Sequence, residues 1–230
     1  EILILGWDDS FSRFLFAQTP DQDGAFICQN SWGEDFGDQG IFYVSYADAN
    51  IAGTAMAYTK IEPADNYDRI YQTDDCGWRG RQGYDAGECW FANVYRAGEG
   101  EQLAAAGFYA VGEDTSYELY LVETPSGTAD FSKRRLLKRG TFRWSGYYTV
   151  ELSEEIPLRD GERFALLVHI NTPGIKNPVA VEYQGDPDAQ NVTTDGKYGF
   201  ISRDGNDWDH TEEKYGSNVC LKAYTHRADE

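Results

Sequence analysis

Chemistry in this chain would have to come from few groups: three histidines, four cysteines, several acidic loops and one Gly-rich stretch dense in rings and cations. That stretch, Gly77-Trp78-Arg79-Gly80-Arg81-Gln82-Gly83-Tyr84-Asp85-Ala86-Gly87-Glu88, lies between Cys76 and Cys89. It is too rich in glycine to be core, and aromatic rings left out of a core can stack on pyranose rings, so Trp78, Arg79, Arg81 and Tyr84 are candidate sugar contacts. The alternative is a structural loop closed by a Cys76–Cys89 disulfide, worth roughly 3 kcal/mol by loop entropy. Such a bridge implies an oxidising, extracytoplasmic setting. Cys28 sits in an apolar strand and reads as a buried free thiol. No Cys-x-x-Cys pair or nearby histidine completes a zinc site.

The remaining groups suggest structure more than catalysis. His169 falls in the apolar run Phe164 to Ile170 and reads as a strand residue, whereas His210 and His226 have polar neighbours and read as surface groups. None has a cysteine or serine placed to form a nucleophilic dyad. Asp74, Asp75, Asp204, Asp207 and Asp209 offer hard oxygen ligands for a structural calcium ion, but their spacing does not match the EF-hand pattern and a solvated acidic loop is the default. No cofactor is required. Ser202-Arg203-Asp204-Gly205-Asn206-Asp207-Trp208 predicts a tight turn held by the Asp204 carboxylate, with Trp208 tucked beneath.

The elements that must position these groups are strands. Residues from Glu1 to about Ile51 give three β segments, Ile2 to Trp7, Ala25 to Gln29 and Ile41 to Tyr46, too few for an independent domain. Glu62-Pro63-Ala64-Asp65-Asn66 has junction composition. From Tyr67 to Tyr224 short strands recur about every ten residues between Gly, Pro, Asn and Asp clusters. They are Arg69 to Gln72, Cys89 to Tyr95, Ala105 to Val111, Tyr117 to Glu123, Gly146 to Leu152, Arg163 to Asn171, Val179 to Tyr183, Gly199 to Ser202 and Asn218 to Tyr224. This pattern predicts a mainly β chain, an antiparallel β-sandwich of jelly-roll type. Glu101 to Ala106 is the one piece whose alanines would suit a helical turn.

Composition narrows the partners. With 39 acidic residues against 20 basic ones the net charge is -19, which repels phosphate backbones and anionic lipid and argues against nucleic-acid binding. No apolar run approaches the roughly 18 residues a membrane span needs. The 16 Tyr and 6 Trp suit an aromatic-rich β core and also a sugar-binding surface.

Two resemblances run through the chain. The run Asp23 to Val44, centred on Gln29-Asn30-Ser31-Trp32-Gly33, resembles the asparagine segment of papain-like cysteine peptidases, with Phe36 where a second tryptophan is usual and Gln29 where a basic residue is common. Upstream, Ile2-Leu3-Ile4-Leu5-Gly6-Trp7 resembles the strand that in this family begins with the catalytic histidine. Counting back from Gly6-Trp7, that histidine would fall immediately before Glu1, and the cysteine nucleophile lies much further upstream. The resemblance implies that Asn30 orients the histidine, accepting from one ring nitrogen while the other faces the nucleophile, and that Trp32 shields this hydrogen bond from water. It also implies that this chain, without that cysteine and histidine, hydrolyses nothing by itself.

The second region, through Asn66-Tyr67-Asp68-Arg69-Ile70-Tyr71-Gln72, Trp90-Phe91-Ala92-Asn93-Val94-Tyr95, Ala105-Ala106-Gly107-Phe108-Tyr109, Gly146-Tyr147-Tyr148-Thr149-Val150 and Cys220-Leu221-Lys222-Ala223-Tyr224, resembles the lectin-like domain that follows the peptidase in clostridial surface-layer-processing cysteine proteases. Together the two imply residues 1–52 as the C-terminal strands of a papain-like domain, 53–68 as a junction and 69–230 as a lectin-like sandwich. They imply an extracellular or cell-surface protease whose intact form cleaves protein or peptide substrates, with cell-wall or surface carbohydrate as a further partner. The alternatives are a non-enzymatic carbohydrate- or cell-wall-binding module and a structural spacer that binds no sugar.

Overall fold

A computed structural model describes residues 2–51, 53, 55–185, 189–196 and 198–228. The chain divides into two compact units, Glu1–Glu62 and Pro63–Glu230. Residue 52, the last of the expected peptidase segment, and residue 54, within the expected junction, lie outside the described residues.

Unit 1 is a three-stranded antiparallel sheet of β1 (Leu3–Asp8), β2 (Ala25–Gln29) and β3 (Ile41–Ser45), with β2 central. Its apolar runs are strands, as their patterning predicts, yet among its described residues only Ala25 and Cys28 are fully buried apolar side chains. Leu3, Leu5, Trp7, Phe14 and Leu15 stay exposed. Two buried apolar residues cannot offset the entropy of ordering some sixty, so this sheet needs further surface to pack on.

Unit 2 is built on two antiparallel sheets. One contains β4 (Arg69–Tyr71), β7 (Glu101–Ala110), β10 (Gly146–Pro157) and β16 (Leu221–Arg227) in the order β10-β7-β16-β4. The other contains β6 (Glu88–Arg96), β8 (Thr115–Glu123), β9 (Arg135–Phe142), β11 (Arg163–Asn171), β13 (Gly199–Ser202) and β14 (Trp208–His210) in the order β14-β13-β6-β11-β8-β9. A small third sheet joins β5 (Gly80–Gln82), β12 (Val179–Tyr183) and β15 (Ser217–Val219), with β12 central. The main core lies between the two large sheets: Phe91 and Tyr95, Tyr117, Leu119 and Leu121, and Leu166 and Ile170 meet Leu103, Phe108, Val150 and Leu221.

The near-continuous apolar runs of β6 and β11 follow from burial on both faces. Their alternate residues Ala92, Ala165 and Leu167 form a second cluster with Phe131, from the 3-10 segment Thr128–Lys133, and with Phe200 and Trp208 packed against it. The alanines of Glu101 to Ala106 form the start of β7 and not a helical turn. Small residues are needed there, because a Cβ at neighbouring Gly107 would overlap the Tyr147 and Tyr224 rings. Tertiary packing overrides helix propensity.

All four cysteines are free thiols. The expected Cys76–Cys89 bridge is therefore corrected. Cys89 is fully buried with its Sγ 3.5 Å from the Ser202 carbonyl oxygen, while the Cys76 amide donates to Glu182 Oε2 at 2.7 Å. What fixes the Gly-rich loop is strand pairing of β5 with β12. Burial pushes the Cys28 and Cys220 thiols up and takes Cys89 to about 12, so these three should be poor nucleophiles. Native alkylation without reductant is expected to label Cys76 alone, and unfolding should expose all four. Recovery of a disulfide-linked Cys76–Cys89 peptide would contradict this.

Candidate functional site

In unit 1 the chain leaves β2 at Asn30 and returns at β3 through a turn built by glycines. Gly33, Gly37 and Gly40 all have positive φ, at 88°, 61° and 87°, and a Cβ at Gly37 would collide with the Ile41 carbonyl oxygen. Within the turn Gly40 N donates to Phe36 O at 2.7 Å and Asn30 N to Gly40 O at 3.1 Å. Phe36 sits between Trp32 and Phe42, edge-on to each, with ring centroids at 4.9 and 5.5 Å. Trp32 is 72% exposed. Asn30 Oδ1 accepts from Ser31 N at 2.8 Å. Residues 1–62 contain no histidine, so the Asn30 amide has no imidazole to orient within unit 1, and its half-buried side chain folds onto its own backbone.

In unit 2 the structure separates the four residues of the Gly-rich loop. Trp78 lies against Tyr109, with centroids 5.7 Å apart, and is 36% exposed. Tyr84 turns inward: its hydroxyl donates to Asp209 Oδ2 at 3.0 Å, Arg203 lies over its ring, and burial first, then the Asp209 bond, pushes its hydroxyl upward. Arg79 is exposed and its amide donates to Val181 O at 2.9 Å. Arg81 faces a different neighbourhood, a cleft of about 210 Å³ lined with Gln82, Gly83, Asn177, Ile201 and Tyr215. Asn177 and Tyr215 went unread in the sequence. Only the Pro178 after one and Gly216, with φ 60° closing the helix α1 (Thr211–Tyr215) after the other, mark their positions.

The acidic residues do separate work. Asp74 is buried with Oδ2 2.9 Å from Lys222 Nζ, and desolvation raises its carboxyl despite that partner. Asp204 Oδ1 accepts from the Asn206 and Asp207 amides at 2.9 and 3.2 Å, which lowers its carboxyl, and Trp208 packs edge-on to Phe131 at 5.0 Å. Asp209 is held by Lys214, Tyr215 and Tyr84, and Asp75 is exposed. Among the described residues no group of three or more His, Cys, Asp or Glu side chains converges to hold a metal ion.

The histidines are structural. His169 stacks on Trp90 at 4.3 Å between Glu88 and Glu118. His210 is half-buried and not a surface group, capping α1 through Nδ1, which accepts from Glu213 N at 3.4 Å. His226 bonds Glu155 and the Asn66 carbonyl and stacks on Tyr67.

The fold class is thus mainly β, with antiparallel sheets throughout. Residues 70–225 match the model of the family described as lectin like domain, and the chain belongs to that family. Two solved structures are similar to it. One is a clostridial cysteine protease, Cwp84, after propeptide cleavage, at 24% identity and a TM-score of 0.81 over 99% of this chain and 58% of that one. The other comprises the cysteine protease and lectin-like domains of Cwp84, a surface layer associated protein of Clostridium difficile, at 24% identity and a TM-score of 0.78 over 99% of this chain and 52% of that one. At this identity the likeness is one of fold, and the chain spans little more than half of either structure. No curated protein matches the chain.

Proposed function

We propose that this chain is the C-terminal portion of a secreted or cell-surface papain-like cysteine protease, joined to a lectin-like module that engages cell-wall or surface carbohydrate. The observation that carries the reading is the extent of the structural likeness. It covers 99% of the chain, so it takes in unit 1 with its Asn30 turn as well as the residues 70–225 of the family match. Two features of unit 1 support it: a sheet with only Ala25 and Cys28 fully buried among its apolar side chains, and an asparagine at a glycine-built turn with no histidine of its own.

In the intact protein a cysteine thiolate attacks the substrate carbonyl, a histidine moves the proton, and Asn30 is a positioning residue for that histidine. The similar structure is that of a surface layer associated protein, which favours an extracellular or cell-surface setting. No helix among the described residues is long and apolar enough to cross a membrane.

The test uses the full-length protein. Asn30→Ala should lower kcat for peptide hydrolysis by roughly a hundredfold with KM little changed, since misoriented acid–base groups lose about that much. The chain of 230 residues should show no thiol-inhibitor-sensitive turnover. An unchanged kcat in Asn30→Ala, or hydrolysis by this chain that Cys28→Ser abolishes, would overturn the assignment. A non-enzymatic carbohydrate-binding module is the second reading, favoured by the confinement of the family match to unit 2.

A further inference from the structure

We propose that the cleft between β5 and α1 is the carbohydrate subsite of unit 2 and takes one pyranose ring. The inference rests on the carbohydrate reading of the module and adds the place and size of its ligand. The cleft holds about 210 Å³, below the roughly 300 Å³ at which drug-sized pockets begin. That is room for a single small polar molecule and too little for an extended chain.

The walls are built. Gly83 lets the loop close onto the segment before β12, since a Cβ there would stand 2.7 Å from Asn177 Cα and 2.9 Å from Pro178. The Tyr215 ring is fixed because its hydroxyl donates to Asp209 Oδ2 at 3.0 Å, the same oxygen that receives the Tyr84 hydroxyl at 3.0 Å. A ring locked through its hydroxyl and still 42% exposed is pre-organised to stack, at little entropic cost on binding.

The polar groups match a polyol. Arg81 supplies a planar fork of donors, and the amides of Gln82 and Asn177 carry donors and acceptors together, the pairing that neighbouring hydroxyls require. Gln82 Oε1 is buried without a hydrogen-bond partner. An amide left unpaired costs about 1–3 kcal/mol, and its broad terminal torsion lets it turn to meet a ligand hydroxyl. The overall charge of -19 argues against a polyanion. A pyranose, with one apolar face and a rim of hydroxyls, fits one ring, one fork and two amides.

Glycan-array binding by the chain and saturation-transfer NMR with free glucose, galactose, mannose and N-acetylglucosamine test this. Arg81→Ala and Tyr215→Ala should each weaken binding at least about tenfold, while Tyr215→Phe, which keeps the ring and loses its hydroxyl lock, should fall between the parent and Tyr215→Ala. Arg81 is exposed, so Arg81→Ala should melt with the parent, which separates lost contact from lost fold. Binding that survives both alanine variants would overturn the cleft and leave the carbohydrate reading standing. A parent chain that binds no glycan would overturn both.

Discussion

Asn93→Asp is expected to cost unit 2 on the order of 4 kcal/mol at neutral pH, enough to lower its melting temperature by roughly 10 °C. Asn93 is fully buried on the inner face of β6. Its Nδ2 lies 3.0 Å from Leu221 O, 3.2 Å from Val219 O, and 3.1 Å from both Thr73 Oγ1 and the Tyr95 hydroxyl. An amide has two hydrogens, so it serves two of these four oxygens at a time. Because Val219 and Leu221 end β15 and begin β16, one side chain ties the six-stranded sheet to both of the others. A carboxylate in its place has no hydrogens and turns a charge toward two carbonyls in a fully buried position. Asn93→Ala should cost about half as much, losing the bonds without burying the charge. Urea unfolding followed by tryptophan fluorescence would measure both. A change below about 1 kcal/mol for Asn93→Asp would refute the account.

Asn93 also marks what the sequence conceals. Its strand is legible, since Trp90 to Tyr95 is an apolar run, and β2, β11, β12 and β13 fall where periodicity predicts them. Side-chain alternation has a period of two and survives any tertiary context that buries one or both faces. What is not legible is whatever depends on distant neighbours. β5 is written in glycine and polar residues and exists because β12 lies beside it. β9 pairs with β8 at the edge of its sheet and needs few buried residues, so Arg135 to Phe142 carries little apolar signal. Asn218 to Tyr224 reads as one strand but divides at Cys220, whose amide donates to Ala180 O as the chain passes from one sheet to another.

The candidate sites divide along the same line. The Asn30 turn is local, written in Gly33, Gly37 and Gly40, and the sequence displays it. The cleft is not, because Arg81, Asn177 and Tyr215 are brought together by the third sheet, the segment leading into β12 and a five-residue helix. The disulfide expectation failed for a related reason. Two cysteines around a glycine loop look like a staple, but β6 alternation points Cys89 into the core beside Phe91 and Phe108.

Glu101→Ala is expected to cost about 3 kcal/mol and to lower the melting temperature by roughly 6–12 °C. Glu101 opens β7 and is 2% exposed. Its carboxylate accepts the Tyr71 hydroxyl in a short hydrogen bond and the Gly98 amide at 3.1 Å, with Arg69 Nη1 at 3.3 Å. Arg69 is more than half exposed, so its ion pair is screened and contributes little. The cost comes mainly from the Tyr71 hydroxyl, which alanine would leave without its acceptor at about 1–3 kcal/mol, together with the charge-assisted bond lost by the Gly98 amide, which keeps the Tyr71 hydroxyl oxygen as acceptor at 3.0 Å. Burial first, and then the bond to Glu101, holds the Tyr71 hydroxyl up to about 12, so it remains a donor throughout the neutral range. The asymmetry of unmade hydrogen bonds gives a sharper test. Combining Tyr71→Phe with Glu101→Ala removes the stranded hydroxyl but takes both acceptors from the Gly98 amide, and it loses the Tyr71–Glu101 bond once where the single changes each lose it, so the pair should cost less than the sum of the single changes by about 1 kcal/mol. Strict additivity, measured by urea unfolding of the four proteins in the cycle, would mean that Tyr71 and Glu101 do not depend on each other and that Glu101 acts through packing alone.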